Sequence, residues 1–301
     1  MAQSQRDVRN RITAVRNIEK ITSAMAMVAA ARLRRAEQRI EALRPYASAI
    51  RRMTRQVADS AGSVPSVPIL QQHPETATVG LLLIAGDRGL AGAFNSNVIR
   101  AGVAAGREHE AAGRRVVYYA SGRRVASSLS FRGLNPAEAF IGFSDRPAYP
   151  DARRIASKLM AAFLDDEVDQ VEVFYNHYGS AISQVVRRET LLPLQQATVL
   201  DTPDTDTDPE AGSGASVVPD YEPDPAAVLG RLVPDYVEIS IYRALLESTA
   251  SEHGARMTAM RQASDNASEL IQDLTLQMNR ARQAEITQEI MEVVAGAEGL
   301  G

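Results

Sequence analysis

The sequence predicts an α/β domain combined with a long antiparallel coiled coil formed by its N- and C-terminal helices. Three observations lead there. Apolar residues recur at steps of three and four near both ends of the chain, the spacing of one helix face. Between the ends, short runs of Val, Leu, Ile and Tyr alternate with helical stretches, the pattern of a Rossmann-like, mostly parallel sheet. Aromatic content is only 5%, Trp is absent and Ala is abundant, a mixture that favours helix.

The first helix is read from Ser4 to Ser60, with Val8, Ile12, Val15, Ile18, Ile21, Met25 and Val28 in line. At this length it spans about 80 Å, more than a core helix needs, so a coiled coil is favoured. Pro45 is expected to bend or interrupt it and Gly62 to cap it. The N-terminal segment is therefore bounded at 1–62, and the Pro- and Ser-rich stretch 63–75 is a linker.

The α/β domain is placed at 76–200. TATVGLLLIAG reads as a buried strand, and the turn and helix GDRGLAGAFNSNVIRAGVAAGREHEAAG follow it. RRVVYYASG is a second strand and SGRRVASSLSF a second helix. YPDARRIASKLMAAFLDDEV is a third helix, with Asp151 suited to its first turn. DQVEVFYNHY and SQVVRRETLLPL read as a closing antiparallel hairpin. Residues 201–220 form an acidic, Pro-rich loop expected to lack regular structure.

The C-terminal helix occupies 221–301. Asp224 can cap it, Pro234 is expected to interrupt it with Asp235 capping the continuation, and Gly296 is expected to end it. Steps of four and three from Tyr242 give Leu246, Thr249, His253, Arg256, Met260, Ala263, Ala267, Leu270, Leu274, Gln277, Ala281 and Ala284 as its seam. Many of these are Ala, so the partner helix can come close.

Several functions are disfavoured. With no Cys, disulfides, thiol catalysis and Cys-bound metal are excluded. The four His show no ligand spacing, so neither a metal site nor a cofactor is expected. The longest clean apolar run, Val79–Ala85, is far short of the roughly 20 residues that span a bilayer. The N-terminus lacks a signal-peptide core, so a cytoplasmic chain is expected. Met1–Arg55 carries thirteen basic residues against four acids, but no aromatics interleave with them as a nucleic-acid binder would require. GDRGLAG at Gly86–Gly92 stands where an anion could meet a helix N-terminus. Its spelling fits neither common phosphate loop, and no nucleophile–base set accompanies it. A stand-alone nucleotide-binding enzyme is the competing reading.

KITSAMAMVAAARLRRA with RPYA after it, DRGLAGAFN, YEPDP, ARMTAMRQASDNASELI and NRARQAEITQEIMEVVAGA resemble the gamma subunit of the F-type ATP synthase. The resemblance covers both terminal helices and the first strand–turn–helix of the middle domain. It implies a central shaft standing in a hexamer of alternating alpha and beta subunits. It also implies a foot beside the epsilon subunit, resting on the membrane's c-subunit ring. Proton flow would turn ring and shaft and drive three catalytic beta sites through successive conformations; the shaft itself would be non-catalytic, present once per complex and peripheral to the cytoplasmic side of a bacterial cell membrane. By matching motif positions, Lys20, Thr22, Met25, Arg256, Arg282, Gln283, Thr287 and Glu289 would contact the beta subunits. Tyr221 and Glu222 would belong to the foot that meets the ring. Two departures stand out: the turn Gly89–Ala93 holds no Cys, and the acidic loop is longer than in many members.

Overall fold

A computed structural model describes residues 5–60, 68–71, 73–180, 183–194 and 225–298. The elements are α1 (Gln5–Ser60), β1 (Thr78–Ile84), α2 (Phe94–Ala111), β2 (Arg115–Ser121), α3 (Arg123–Phe131), β3 (Glu138–Phe140), α4 (Tyr149–Leu164), β4 (Gln170–Tyr178), β5 (Gln184–Leu192) and α5 (Pro225–Glu298). A short 3-10 turn, Pro68–Leu70, precedes β1. The caps sought at Gly62 and Asp224, the loop 201–220, and Tyr221 and Glu222 lie outside the described residues.

The chain forms two compact units: Met1–Ala31 with Arg256–Gly301, and Arg32–Ala255. The larger holds a five-stranded sheet in the order β3-β2-β1-β4-β5. The first four strands are parallel, and β5 pairs antiparallel to β4, as the hairpin reading expected. β1 is central and buried at all seven positions, because helices or chain cover both faces of a parallel sheet. One face packs on α4 and the start of α5 through Leu82, Ile155, Leu159, Val233, Val237 and Ile241. The other packs on α2 and α3 through Leu81, Leu83, Val98, Val125 and Leu129. Gly122 joins β2 to α3 at φ 102°, and a β-carbon there would stand 2.1 Å from the Ala85 carbonyl oxygen. Only glycine fits that crossing. The Asp151 carboxylate accepts from the Ala148 N–H at 2.9 Å, so it does cap the first turn of α4.

In the smaller unit, Val8, Ile12 and Val15 of α1 pack against Ile271, Leu274 and Met278 of α5. In the larger unit, Arg32 of α1 and His253 of α5 both reach Asp145. Residue numbers rise along one helix as they fall along the other, so the pair is antiparallel.

Four expectations need correction. In α1 the inward line is Val8, Ile12, Val15, Glu19, Thr22, Ala26, Ala29 and Leu33, a regular alternation of four and three. Ile18, Ile21 and Val28, assigned to the seam from the sequence, are 53%, 58% and 53% exposed. In α5 every seventh expected position from Leu246 to Leu274 is buried, but the intervening line is Ser264, Ile271 and Met278, leaving Leu270 exposed. From Thr22 to Ala29 small residues hold the α1 seam while Ile21 and Val28 flank it, so the heaviest apolar line misplaced the register by one residue. Third, Pro45 and Pro234 do not interrupt their helices. The carbonyls they leave unpaired, four residues earlier, belong to exposed Glu41 and Gly230, where water can serve them. Gly296 likewise lies inside α5, which ends at Glu298. Fourth, β3 had no counterpart in the sequence reading. It is only three residues long and borrows its order from β2.

Candidate functional site

In an open parallel sheet, a ligand enters at the carboxyl ends of the strands where the order reverses, here between β1 and β4. The turn after β1 is tightly built. Gly86 N–H donates to Asn95 Oδ1 at 2.8 Å, and Asn95 Nδ2 donates to the Arg88 carbonyl at 3.2 Å. The Asp87 carboxylate accepts from the N–H groups of Arg123 (2.9 Å), Gly142 (2.9 Å) and Ser144 (3.2 Å). One side chain thereby fixes the segments that follow β1, β2 and β3. DRGLAGAFN is a structural clasp, and Asp87 and Asn95 are its working residues; the glycines drew attention in the sequence, but the carboxylate and amide carry the geometry.

The crevice itself is filled. Leu245, Ser248, Thr249 and Glu252 of α5 meet Ile84, Ala85, Ser121, Ser144 and Pro147 around a cavity of about 10 Å³, room for one water at most. Glu252 is 2% exposed. Its carboxyl stands 2.8 Å from where a β-carbon on Gly86 would lie. A buried carboxyl side chain thus fills the space beside Gly86, which opposes the nucleotide-binding reading.

The same edge of the sheet holds both long helices. Arg32 of α1 donates to Asp145 Oδ2, and His253 Nε2 of α5 lies 3.8 Å from Asp145 Oδ1. Tyr178 donates its hydroxyl to Glu37 of α1 at 2.5 Å, while His177 Nδ1 lies 2.6 Å from Glu247 of α5. Burial, and then the bond to Glu37, push the Tyr178 hydroxyl pKa up, so it stays a donor at neutral pH. Thr249 donates to the Ser144 carbonyl at 2.9 Å and Ser251 to the Asn176 carbonyl at 3.1 Å. Sequence reasoning passed over these groups. The available signal was the polar Asn176-His177-Tyr178 closing a strand whose middle is Val173-Phe174-Tyr175.

The predicted contact residues are placed as follows. Lys20 is exposed, Met25 half-buried, and Thr22 buried with its hydroxyl donating to the Ile18 and Glu19 carbonyls, both at 3.0 Å. Arg256 is half-buried. Arg282, Gln283, Thr287 and Glu289 are all exposed, and Thr287 donates to the Gln283 carbonyl at 2.8 Å. Around them Ile286, Ile290, Met291, Val293 and Val294 are exposed as well. From Met278, the last α5 residue in the cluster with α1, to Glu298 is about 30 Å of helix at the usual rise. Among the described residues no three His, Asp or Glu side chains are placed to share a metal ion. No described helix is long and apolar enough to cross a membrane.

The ATP synthase family profile matches residues 4–300. An ATP synthase gamma chain of Rubrobacter xylanophilus is 41% identical over 297 residues, covering 99% of this chain and 98% of that one. Gamma chains of Halothermothrix orenii (99% of each chain) and a Synechococcus (97% of this chain, 98% of the other) are each 42% identical. Among solved structures, the central stalk and c-ring assembly of Tetrahymena thermophila mitochondrial ATP synthase contains a chain 26% identical. It covers 81% of this chain and 99% of its own, with a TM-score of 0.59. A chain of the Euglena gracilis mitochondrial ATP synthase rotor, 16% identical, covers 94% and 98% with a TM-score of 0.60, a likeness of fold.

Proposed function

We infer the role of this chain from one premise: it belongs to the ATP synthase gamma-chain family. It is the central stalk subunit, non-catalytic itself, that transmits rotation between the c ring and the catalytic alpha/beta hexamer. Proton translocation is thereby coupled to ATP synthesis or hydrolysis.

The observation that carries the mechanical part of this reading is the far end of α5. A soluble protein that stood alone would be unusual in presenting a run such as Ile286, Ile290, Met291, Val293 and Val294 to water. That run needs a surrounding partner, and the bore of a hexamer supplies one. Lys20, Thr22, Met25, Arg256, Arg282, Gln283, Thr287 and Glu289 are assigned to contacts with the beta subunits; Thr22, buried in the single chain, is the one of them that also lies in the α1 seam. Exposed charges can form transient catches, because a surface ion pair contributes only about 0–1 kcal/mol and so does not lock a turning shaft. Tyr221 and Glu222 are assigned to the foot at the ring, beside the epsilon subunit. The segments 1–62 and 221–301 serve as the shaft helices and 76–200 as the foot. One copy serves each complex, peripheral to the cytoplasmic side of a bacterial cell membrane.

Truncation after Arg280 tests the reading. It removes Arg282 to Glu289 and leaves the α/β unit whole. Assembly with alpha and beta subunits, or proton coupling, should weaken while the melting of the α/β unit is unchanged. Full coupling by the truncated chain would count against the assigned contacts.

A further inference from the structure

The two long helices are gripped by one edge of the α/β unit at two places, and each place holds both helices. The Asp145 carboxylate accepts from Arg32 of α1 and faces His253 Nε2 of α5 at 3.8 Å, while Thr249 of α5 donates to the neighbouring Ser144 carbonyl at 2.9 Å. The adjacent pair His177-Tyr178 divides in the same way: His177 meets Glu247 of α5, and Tyr178 donates to Glu37 of α1. On α1, Arg32 and Glu37 are five residues apart, a turn and a half of helix.

Both grips are backed by rigid structure. His177 and Tyr178 end β4, whose partners are β1 and β5. Asp145 belongs to the segment after β3 that Asp87 clamps through Gly142 and Ser144, and Ser144 in turn accepts from Thr249 of α5. A continuous path of hydrogen bonds therefore joins the ends of β1 and β4 to both helices. The apolar seam beside it is built from small residues such as Ala29 and Ala36, which resist separation but offer little shape to oppose sliding. Directed polar contacts oppose displacement around and along a helix axis, because hydrogen bonds weaken steeply once bent.

We propose that Asp145 and the His177-Tyr178 pair form a two-point collar that locks α1 and α5 to the α/β foot and carries torque between foot and shaft. Arg32, Glu37, Asp145, His177 and Tyr178 are positioning residues for rotary coupling, distinct from the surfaces that meet other subunits. The proposal rests on the central-stalk reading. Arg32 and Asp145 are partly exposed and form a weak pair alone, so either α1 contact should hold when the other is removed, and both must be lost for α1 to slip while α5 stays held.

The test uses the complete complex in sealed vesicles, carrying wild-type chain, Arg32→Ala, Tyr178→Phe, or both. Each single variant should pump protons within about twofold of wild type. The double variant should assemble and hydrolyse ATP within about twofold when no gradient opposes it. Against a gradient, its pumping and ATP synthesis should fall at least fivefold, more than the product of the single effects. Arg32→Lys with Tyr178→Phe keeps one grip and should restore coupling. A double variant that works under load like wild type overturns the collar. So does one that fails to assemble, or loses unloaded hydrolysis in step with pumping, because the contacts then serve folding alone. If wild-type chain itself does not assemble, the fault lies in the central-stalk reading.

Discussion

The carboxyl of Glu252 lies against Gly86, so close that a β-carbon at position 86 would stand 2.8 Å from it. A helix from the chain's C-terminal end thus seals the crevice that an α/β sheet of this order would otherwise offer to a ligand. The consequence is testable in two ways. The purified chain should show no saturable ATP binding at millimolar concentration by calorimetry. Gly86→Ala must displace the end of the Glu252 side chain, so whatever stability it costs should be recovered in part by Glu252→Ala. Saturable nucleotide binding would mean that the crevice is open.

The coiled-coil register separates two neighbouring leucines. Leu274 is buried against Val8 and Ile12, whereas Leu270 is 44% exposed. Leu274→Ala should cost about 2–4 kcal/mol by denaturant unfolding, and Leu270→Ala less than about 1 kcal/mol. Comparable costs at the two positions would restore the register read from the sequence, which placed both leucines in the seam.

Asp169 gives a pH signature. Its carboxylate accepts from Thr78 N–H at 2.7 Å and Ala77 N–H at 2.9 Å, and His73 Nδ1 lies 2.8 Å away. Burial alone pushes its pKa up, but the bonds from Thr78, His73 and Ala77 together outweigh it and hold the carboxyl below its ordinary value of 3.8. A group depressed on folding contributes stability above its unfolded pKa of about 3.9 and loses it as pH falls through the folded value. Asp169→Asn should therefore cost about 1–3 kcal/mol at pH 7, with the gap to wild type closing below about pH 4. A gap that stays constant from pH 7 to pH 3 would show that the charge contributes nothing.

Much of this fold was legible because its signals are local. The apolar runs of β1 and β4 fit a sheet covered on both faces, and GDRGLAG marked a turn at the right place. What escaped depends on partners distant in sequence. The seam of α1 runs through Thr22, Ala26 and Ala29, small residues that no hydrophobic count prefers to Ile18, Ile21 and Val28. β3 is ordered by β2 beside it. Asp87 is an ordinary turn residue until Gly142 and Ser144 are brought to it. The residues proposed for subunit contacts at the tip of α5 were picked by the spelling of NRARQAEITQEI, not by any physical pattern, and they are exposed in the single chain. For the collar, the polar end of β4 was the one local signal; the Arg32–Asp145 contact had none, since the two residues are 113 apart.

The most direct measurement is reconstitution of this chain with alpha and beta subunits, followed by assay of the isolated complex for ATP hydrolysis. The account predicts a stable complex containing the chain, with hydrolysis dependent on its presence and, once joined to a c ring in vesicles, coupled to proton movement. Alpha and beta subunits that form no ATPase-competent complex with this chain would contradict it.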